Sequence, residues 1–278
     1  MVIEWPLLLF TVIAGAGAGM LAFAGLSEFF GASKKARFIT CILAIVFFVV
    51  GGCLSLLHLG NPSNFMSAAT NIFSFSPISL ELIFLGLGVI VAIIYMVLVN
   101  REGTASKVLA ICAIVVGALF CYFSGHGYEM IHVRAAWATP ALTFSYALSA
   151  LTFGGFLFLI LQAVLKDEAA AIKKVALFVL IVAVLQTIIY VIYGATIDLG
   201  DNATLFWVGS VVVGGIVAVV AGLIAFLKSN TAAGMACIGF VAALVGGIAV
   251  RAIMWLAGSM FLPSFFELGV HNRSLFPF

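Results

Sequence analysis

Charge is what this sequence is short of. Only 8% of its 278 residues are Asp, Glu, Lys or Arg and 65% are hydrophobic, whereas a soluble domain carries about 25% charged residues. Water is therefore excluded as the main solvent. The net charge of +2 is spread in short clusters, which excludes a basic surface for nucleic acid. Paired cysteines are missing too. Cys41, Cys53, Cys112, Cys121 and Cys237 all lie in apolar runs without a CxxC spacing, so neither a disulfide framework nor an iron–sulfur ligand set is expected of this chain. They read as small hydrophobes. No basic residue precedes the first apolar run: Glu4 comes before it, and Lys34, Lys35 and Arg37 follow it. That order is the reverse of a cleavable signal peptide, and it predicts that the first helix is retained as an anchor with its amino end outside.

What remains is long apolar sequence. A helix crossing a bilayer needs roughly 20 such residues, because its backbone must satisfy its own hydrogen bonds. Breaks at charges, prolines and polar clusters predict spans near 6–30, 38–59, 78–100, 107–134, 141–166, 172–195, 204–228 and 232–262. The fold class expected is thus an all-α bundle of eight transmembrane helices in a single transmembrane domain, residues 1–278, with both termini on one side. The basic residues test that count. Lys34, Lys35, Arg37, Arg101, Lys107, Lys166, Lys173, Lys174 and Lys228 all fall in the odd-to-even loops, and the opposite loops and tails hold only Arg134 and Arg273. A miscounted helix would scramble this alternation. By the positive-inside rule the basic side is cytoplasmic, which places both termini on the non-cytoplasmic side and, for a bacterial protein, makes this a multi-pass inner-membrane chain.

Gly15, Gly17 and Gly19 mimic a nucleotide-binding loop, but no strand precedes them and they sit within a span. The four-residue spacing of Gly15 and Gly19 instead predicts close helix packing, and Gly154–Gly155, Gly214–Gly215 and Gly246–Gly247 read the same way. A faint duplication suggests a four-plus-four tandem repeat: Trp5-Pro6 and Leu59-Gly60 in the first half recur as Trp137 with Pro140 and Leu199-Gly200 in the second. Loop 60–77 carries Phe65, Met66, Phe73 and Phe75 without a charge, and the tail adds Phe265, Phe266, Phe276 and Phe278. These segments predict either seating in the lipid interface or a soluble partner docked on the outer face.

Titratable side chains within spans are costly, about 2.5 to 3.5 kcal/mol each on insertion scales, so each asks for a partner or a function. Such residues are His58, Glu81, His126, Glu129, His132, Arg134 and Arg251, all seven in the outer half. Their clustering predicts a polar pocket beneath the outer surface, lined by helices 2, 3, 4 and 8, suited to a lipophilic ligand that exchanges protons. A ubiquinol or menaquinol is such a ligand. His58 is the residue expected to meet a quinol oxygen. Glu81 would accept a proton, pair with Arg251, or serve as a favourable charge near a helix N-terminus. His126, Glu129 and His132, three apart along one helix, are a candidate proton path, with an interfacial polar helix end as the plainer reading. Arg251 is a further candidate for the quinol pocket, as an ion-pair partner or a contact to a docked subunit. Two b-type haems would need four ligands, and only His58, His126 and His132 lie in or near spans. His126 and His132 are moreover about 240° apart around one helix. No haem is expected, and no metal site.

The stretches Glu4-Trp5-Pro6-Leu7 with Phe10-Thr11, His58-Leu59-Gly60-Asn61-Pro62 closing helix 2, Glu81, Trp137 with Thr139-Pro140 opening helix 5, and Arg251 together resemble the membrane anchor subunit of the dimethyl sulfoxide reductase family of molybdenum oxidoreductase complexes, the C subunit. The likeness runs in order over nearly the whole chain, and its N-terminal and HLGxP stretches are the specific ones. It implies a haem-free anchor of eight spans within a heterotrimer. Such an anchor oxidises menaquinol to menaquinone and passes electrons to a four-cluster iron–sulfur subunit, which feeds a molybdenum bis-pterin catalytic subunit in anaerobic respiration. Iron–sulfur clusters and molybdopterin then belong to the partners. His58 stands at the position of the family histidine implicated in quinol binding, and Glu81 matches a glutamate near it. The connecting regions diverge, and the His126–Arg134 cluster has no clear counterpart. Two other classes compete: a proton- or ion-coupled transporter, which usually sites its ligand at the bilayer midplane, and a haem b membrane cytochrome.

Overall fold

The computed structural model describes residues 3–59, 70–131 and 134–257. Eight long helices run through it: α1 (Trp5–Ser27), α2 (Lys34–Leu57), α3 (Pro77–Glu102), α4 (Lys107–Glu129), α5 (Pro140–Val164), α6 (Ala169–Thr196), α7 (a π-helical start, Leu205–Val217, continued by Ala218–Leu227) and α8 (Ala232–Leu256). All eight are long and apolar enough to cross a membrane, which agrees with the count taken from the sequence. His132, Phe65, Met66, Arg273 and the phenylalanines of the tail lie outside the described residues. Phe73 and Phe75 are within them, and both are exposed.

Local chemistry sets the ends. Ser33, Ser76 and Ser106 cap α2, α3 and α4 by accepting hydrogen bonds from Ala36, Ser79 and Leu109 amides, and Thr139 does the same for α5 from Ala141. Proline occupies the first turn of α1, α3 and α5, where its missing N–H costs nothing. Gly103 ends α3 with φ 78° and returns its amide to the Val99 carbonyl, a left-handed closure that glycine adopts without strain. Part of the basic end is internally satisfied: Arg37 is buried in an ion pair with Glu28, whose carboxylate also accepts from the Tyr95 hydroxyl at 2.6 Å. The Asp167 carboxylate accepts the Ser33 amide at 2.9 Å, tying the α5–α6 turn to the α1–α2 turn.

Helices α1 to α4 pack around one another as a ring in chain order, α5 to α8 do likewise, and α5 lies against both α1 and α4. The central position of α1 follows from its Ala- and Gly-rich sequence, which is buried almost end to end, because small side chains let neighbouring backbones approach. The closest crossing is Gly19 on α1 against Gly154 on α5: a Cβ added at either would run into the other helix's backbone. Gly214 and Gly246 make the equivalent approach between α7 and α8. Overpacking of this kind costs about 1–3 kcal/mol, and more where backbone must move. Gly154→Val is accordingly expected to lower the detergent-solubilised melting temperature or abolish accumulation, whereas Gly86→Val, with open space around it, should do neither.

The wide start of α7 is not legible in the sequence. Gln186 on α6 donates its amide to the Gly214 carbonyl at 2.9 Å, a side-chain bond to backbone of the kind that accompanies local departures from α geometry within membranes.

Candidate functional site

A cavity of about 310 Å³ opens between α1, α2, α3 and α4 at the end of the bundle where α1 begins. Its size is at the lower end of small-molecule sites. Its wall is mostly apolar, with Leu7 and Phe10 from α1, Leu56 from α2, Ile78 and Leu82 from α3 and Ile131 beyond α4. Set into it are a few polar groups: Thr11, Ser55, His58, Glu81, Ser124 and Tyr128. An apolar slot with sparse polar anchors suits a ring-bearing lipid better than an ion.

His58 sits at the C-cap of α2. Its Nδ1 makes a short hydrogen bond with the Ser55 carbonyl, and since a carbonyl only accepts, Nδ1 carries the proton. That contact occupies Nδ1 and leaves Nε2 as the ring nitrogen available to a ligand. Ser55 turns its own hydroxyl back to the Gly52 carbonyl at 2.8 Å, so the helix end that presents the imidazole is internally tied. Glu81 comes one turn after Pro77 on α3, and its Oε1 is buried without a hydrogen-bond partner among the described residues. A buried carboxyl oxygen in that state is costly unless something meets it. His58 and Glu81 thus share one cavity, as do the helix-2 and helix-3 segments that carry them.

The other sequence candidates lie elsewhere. His126 and Glu129 do not line the cavity. His126 Nδ1 meets Glu129 Oε2 at 3.1 Å, the same oxygen accepts the Thr143 hydroxyl at 2.5 Å, and the imidazole stacks on Tyr122 with centroids 5.3 Å apart. They form a polar contact from α4 to α5. The cavity face of α4 is instead Ser124, Gly127 and Tyr128, spaced by three and one along one side of the helix, with Ile131 following beyond its end. Arg251 does not line the cavity either, and helix 8 contributes nothing to its wall; α1 takes the place expected of helix 8. The pairing of Glu81 with Arg251 does not form. Arg251 donates to Thr11, Ser149 and the Gly247 carbonyl, with its guanidinium carbon 4.1 Å from the Tyr146 ring centroid. Arg134 donates to the Trp255 carbonyl at 2.7 Å, and beside it Trp137 donates to the Met254 carbonyl at 2.8 Å.

Thr11, Ser124 and Tyr128 are wall residues that a search for costly charges passes over, because each is uncharged or aromatic. The helical phase of α4 was the available signal for two of them. Among the described residues no group of three or more His, Cys, Asp and Glu side chains is placed to hold a metal ion.

A family model described as the DMSO reductase anchor subunit (DmsC) matches residues 1–205. The match takes in α1 to α6 and with them every residue of the cavity wall. No curated protein matches the chain at a significant level.

Proposed function

As the chain belongs to the DMSO reductase anchor subunit family, we propose that it is the quinol-oxidising membrane subunit of such a complex, binding menaquinol in the α1–α4 cavity and delivering its electrons to a docked iron–sulfur subunit that feeds a molybdenum catalytic subunit. The observation that carries this reading is the joint placement of His58, with Nε2 free of the Ser55 contact, and Glu81, with a buried carboxyl oxygen unpartnered among the described residues, in one apolar cavity.

Oxidation of a quinol removes two protons and two electrons. His58 is placed to accept a hydrogen bond from one hydroxyl and orient the ring, and Glu81 to take a proton. The apolar wall from α1 and α3 would hold the ring. The cavity lies at the end where α1 begins, away from the basic loops, which under the positive-inside rule supports proton release on the non-cytoplasmic side of a bacterial inner membrane. The exposed Phe73 and Phe75 beside the α3 start would then face the docked partner.

Isolation in mild detergent tests this against a transporter. Iron–sulfur and molybdenum proteins should co-purify with the chain in fixed ratio, and the assembly should oxidise a water-soluble menaquinol analogue. A chain that purifies alone and moves protons or ions in liposomes without any quinol would overturn the reading, and a reduced-minus-oxidised haem b spectrum from the isolated chain would replace it with a cytochrome.

A further inference from the structure

A guanidinium buried in an apolar bundle carries a large desolvation cost unless its charge is balanced or used. Arg251 has no exposed surface. Its Nε donates to Thr11 Oγ1 at 3.0 Å, and its Nη1 to Ser149 Oγ at 2.9 Å and the Gly247 carbonyl at 3.1 Å. Every one of these partners is neutral. Nη2 is buried with no hydrogen-bond partner, and among the described residues no carboxylate forms an ion pair with this arginine. The charge is therefore held in place by polar contacts and left uncompensated.

Its neighbours show where compensation would come from. Thr11 is both the partner of Arg251 and part of the cavity wall. The Thr11 hydroxyl proton goes to the Leu8 carbonyl at 3.0 Å, so its oxygen is pinned between a backbone acceptor and the guanidinium. A second connection runs through aromatic rings. Tyr146, beneath the guanidinium, packs against Tyr128 with centroids 5.6 Å apart, and Tyr128 is itself a wall residue. Glu81 closes the cavity with its own unpartnered oxygen. A fixed positive charge thus stands one side chain behind a site whose chemistry generates negative charge.

We propose that Arg251 is a positioning residue of the quinol site, holding Thr11 in the wall and balancing the negative charge that appears when a quinol hydroxyl gives up its proton. The inference rests on the quinol reading above. In the step concerned, a quinol O–H bond breaks and the proton is taken by His58 or Glu81. The oxygen keeps the bonding pair until two electrons leave for the iron–sulfur partner and the second proton follows, giving quinone. An opposite charge acting through a low-dielectric wall eases that deprotonation and leaves the packing of the neutral quinol unaltered. The effect belongs in kcat and not in KM.

The test uses the intact complex in membranes and the variants Arg251→Gln, Arg251→Lys, Thr11→Val and Thr11→Ser. Arg251→Gln is expected to lower quinol-driven kcat by about ten- to a hundredfold, the range a neighbouring opposite charge confers on a proton loss, with KM within about twofold. Arg251→Lys should recover part of that, and Thr11→Ser should lose less than Thr11→Val. The double variant of Arg251→Gln with Thr11→Val should be no worse than Arg251→Gln alone, because both remove one coupled arrangement. The dimethyl ether of the quinol has no hydroxyl proton to lose, so its inhibition constant should be the same in the two Arg251 variants as in wild type, a readout that a collapsed site would move. Wild-type kcat in Arg251→Gln, with His58→Ala inactive, would overturn this inference and leave the quinol reading standing. Full turnover in His58→Ala would defeat the quinol reading itself. Should Arg251→Gln fail to accumulate, the threonine pair decides: wild-type kcat in Thr11→Val overturns the role.

Discussion

Replacing His58 with alanine should reduce menaquinol-driven turnover by about a hundredfold or more, the range expected when a positioned acid–base group is removed, while the complex assembles in normal yield. The second half of that expectation follows from position. His58 caps the end of α2, is exposed at the cavity, and has its only side-chain hydrogen bond among the described residues to Ser55 within the same helix end. Its loss leaves no buried polar partner unsatisfied across helices among the described residues, so the cost in stability should be within the small range of surface substitutions. Two controls separate binding from assembly. An artificial electron donor that feeds the soluble partners directly should support wild-type rates in the variant, and His58→Gln, whose side-chain carbonyl can still accept a hydrogen bond, should fall between alanine and wild type. Undiminished menaquinol turnover in His58→Ala would remove the residue from the site, and with it the observation on which the quinol reading rests.

The helical layout was legible because lipid imposes it: spans need length, their ends need caps or breaks, and the basic residues sort by side. Sequence ends were displaced where polar clusters blurred them. The fourth helix, expected to run to residue 134, stops at Glu129, and Arg134 folds back to hold the end of α8. The site was only half legible. His58 and Glu81 announce themselves as charge-bearing residues near one surface, and they do share a cavity. Neighbour relations do not announce themselves, because apolar helices all look alike to a search for costly residues. Arg251 makes helix 8 look like part of the wall, yet that side chain turns toward Tyr146 and Ser149, and the wall is completed by Thr11 of α1. The His126–Glu129 spacing showed a shared helix side correctly, but which side meets the cavity depends on how α4 rotates against α1 and α3. Tyr128, immediately beside Glu129, faces the other way.

Glu81→Gln distinguishes a proton acceptor from a structural charge, and the expected result is a fall in kcat of about a hundredfold with little change in KM, the contribution of a general base. Glutamine keeps the length, planarity and hydrogen-bonding capacity of the side chain, so neutral quinol should still fit. What it lacks is an oxygen able to receive a proton. The rival role, a carboxylate favoured by the N-terminal dipole of α3, is weak on geometry: the first turn starts at Pro77 and is already capped by Ser76, and the dipole effect fades beyond that turn. It also gives the opposite signature. If Glu81 only steadied the helix, the variant complex would melt earlier or accumulate less, and each surviving complex would turn over at the normal rate. Glu81→Asp sharpens the contrast, because it retains a carboxylate but withdraws it by one methylene from the cavity. A proton acceptor then predicts partial activity, lower than wild type and higher than glutamine, whereas a helix charge predicts normal kcat. Rate per assembled complex, measured alongside yield in the three proteins, decides between them.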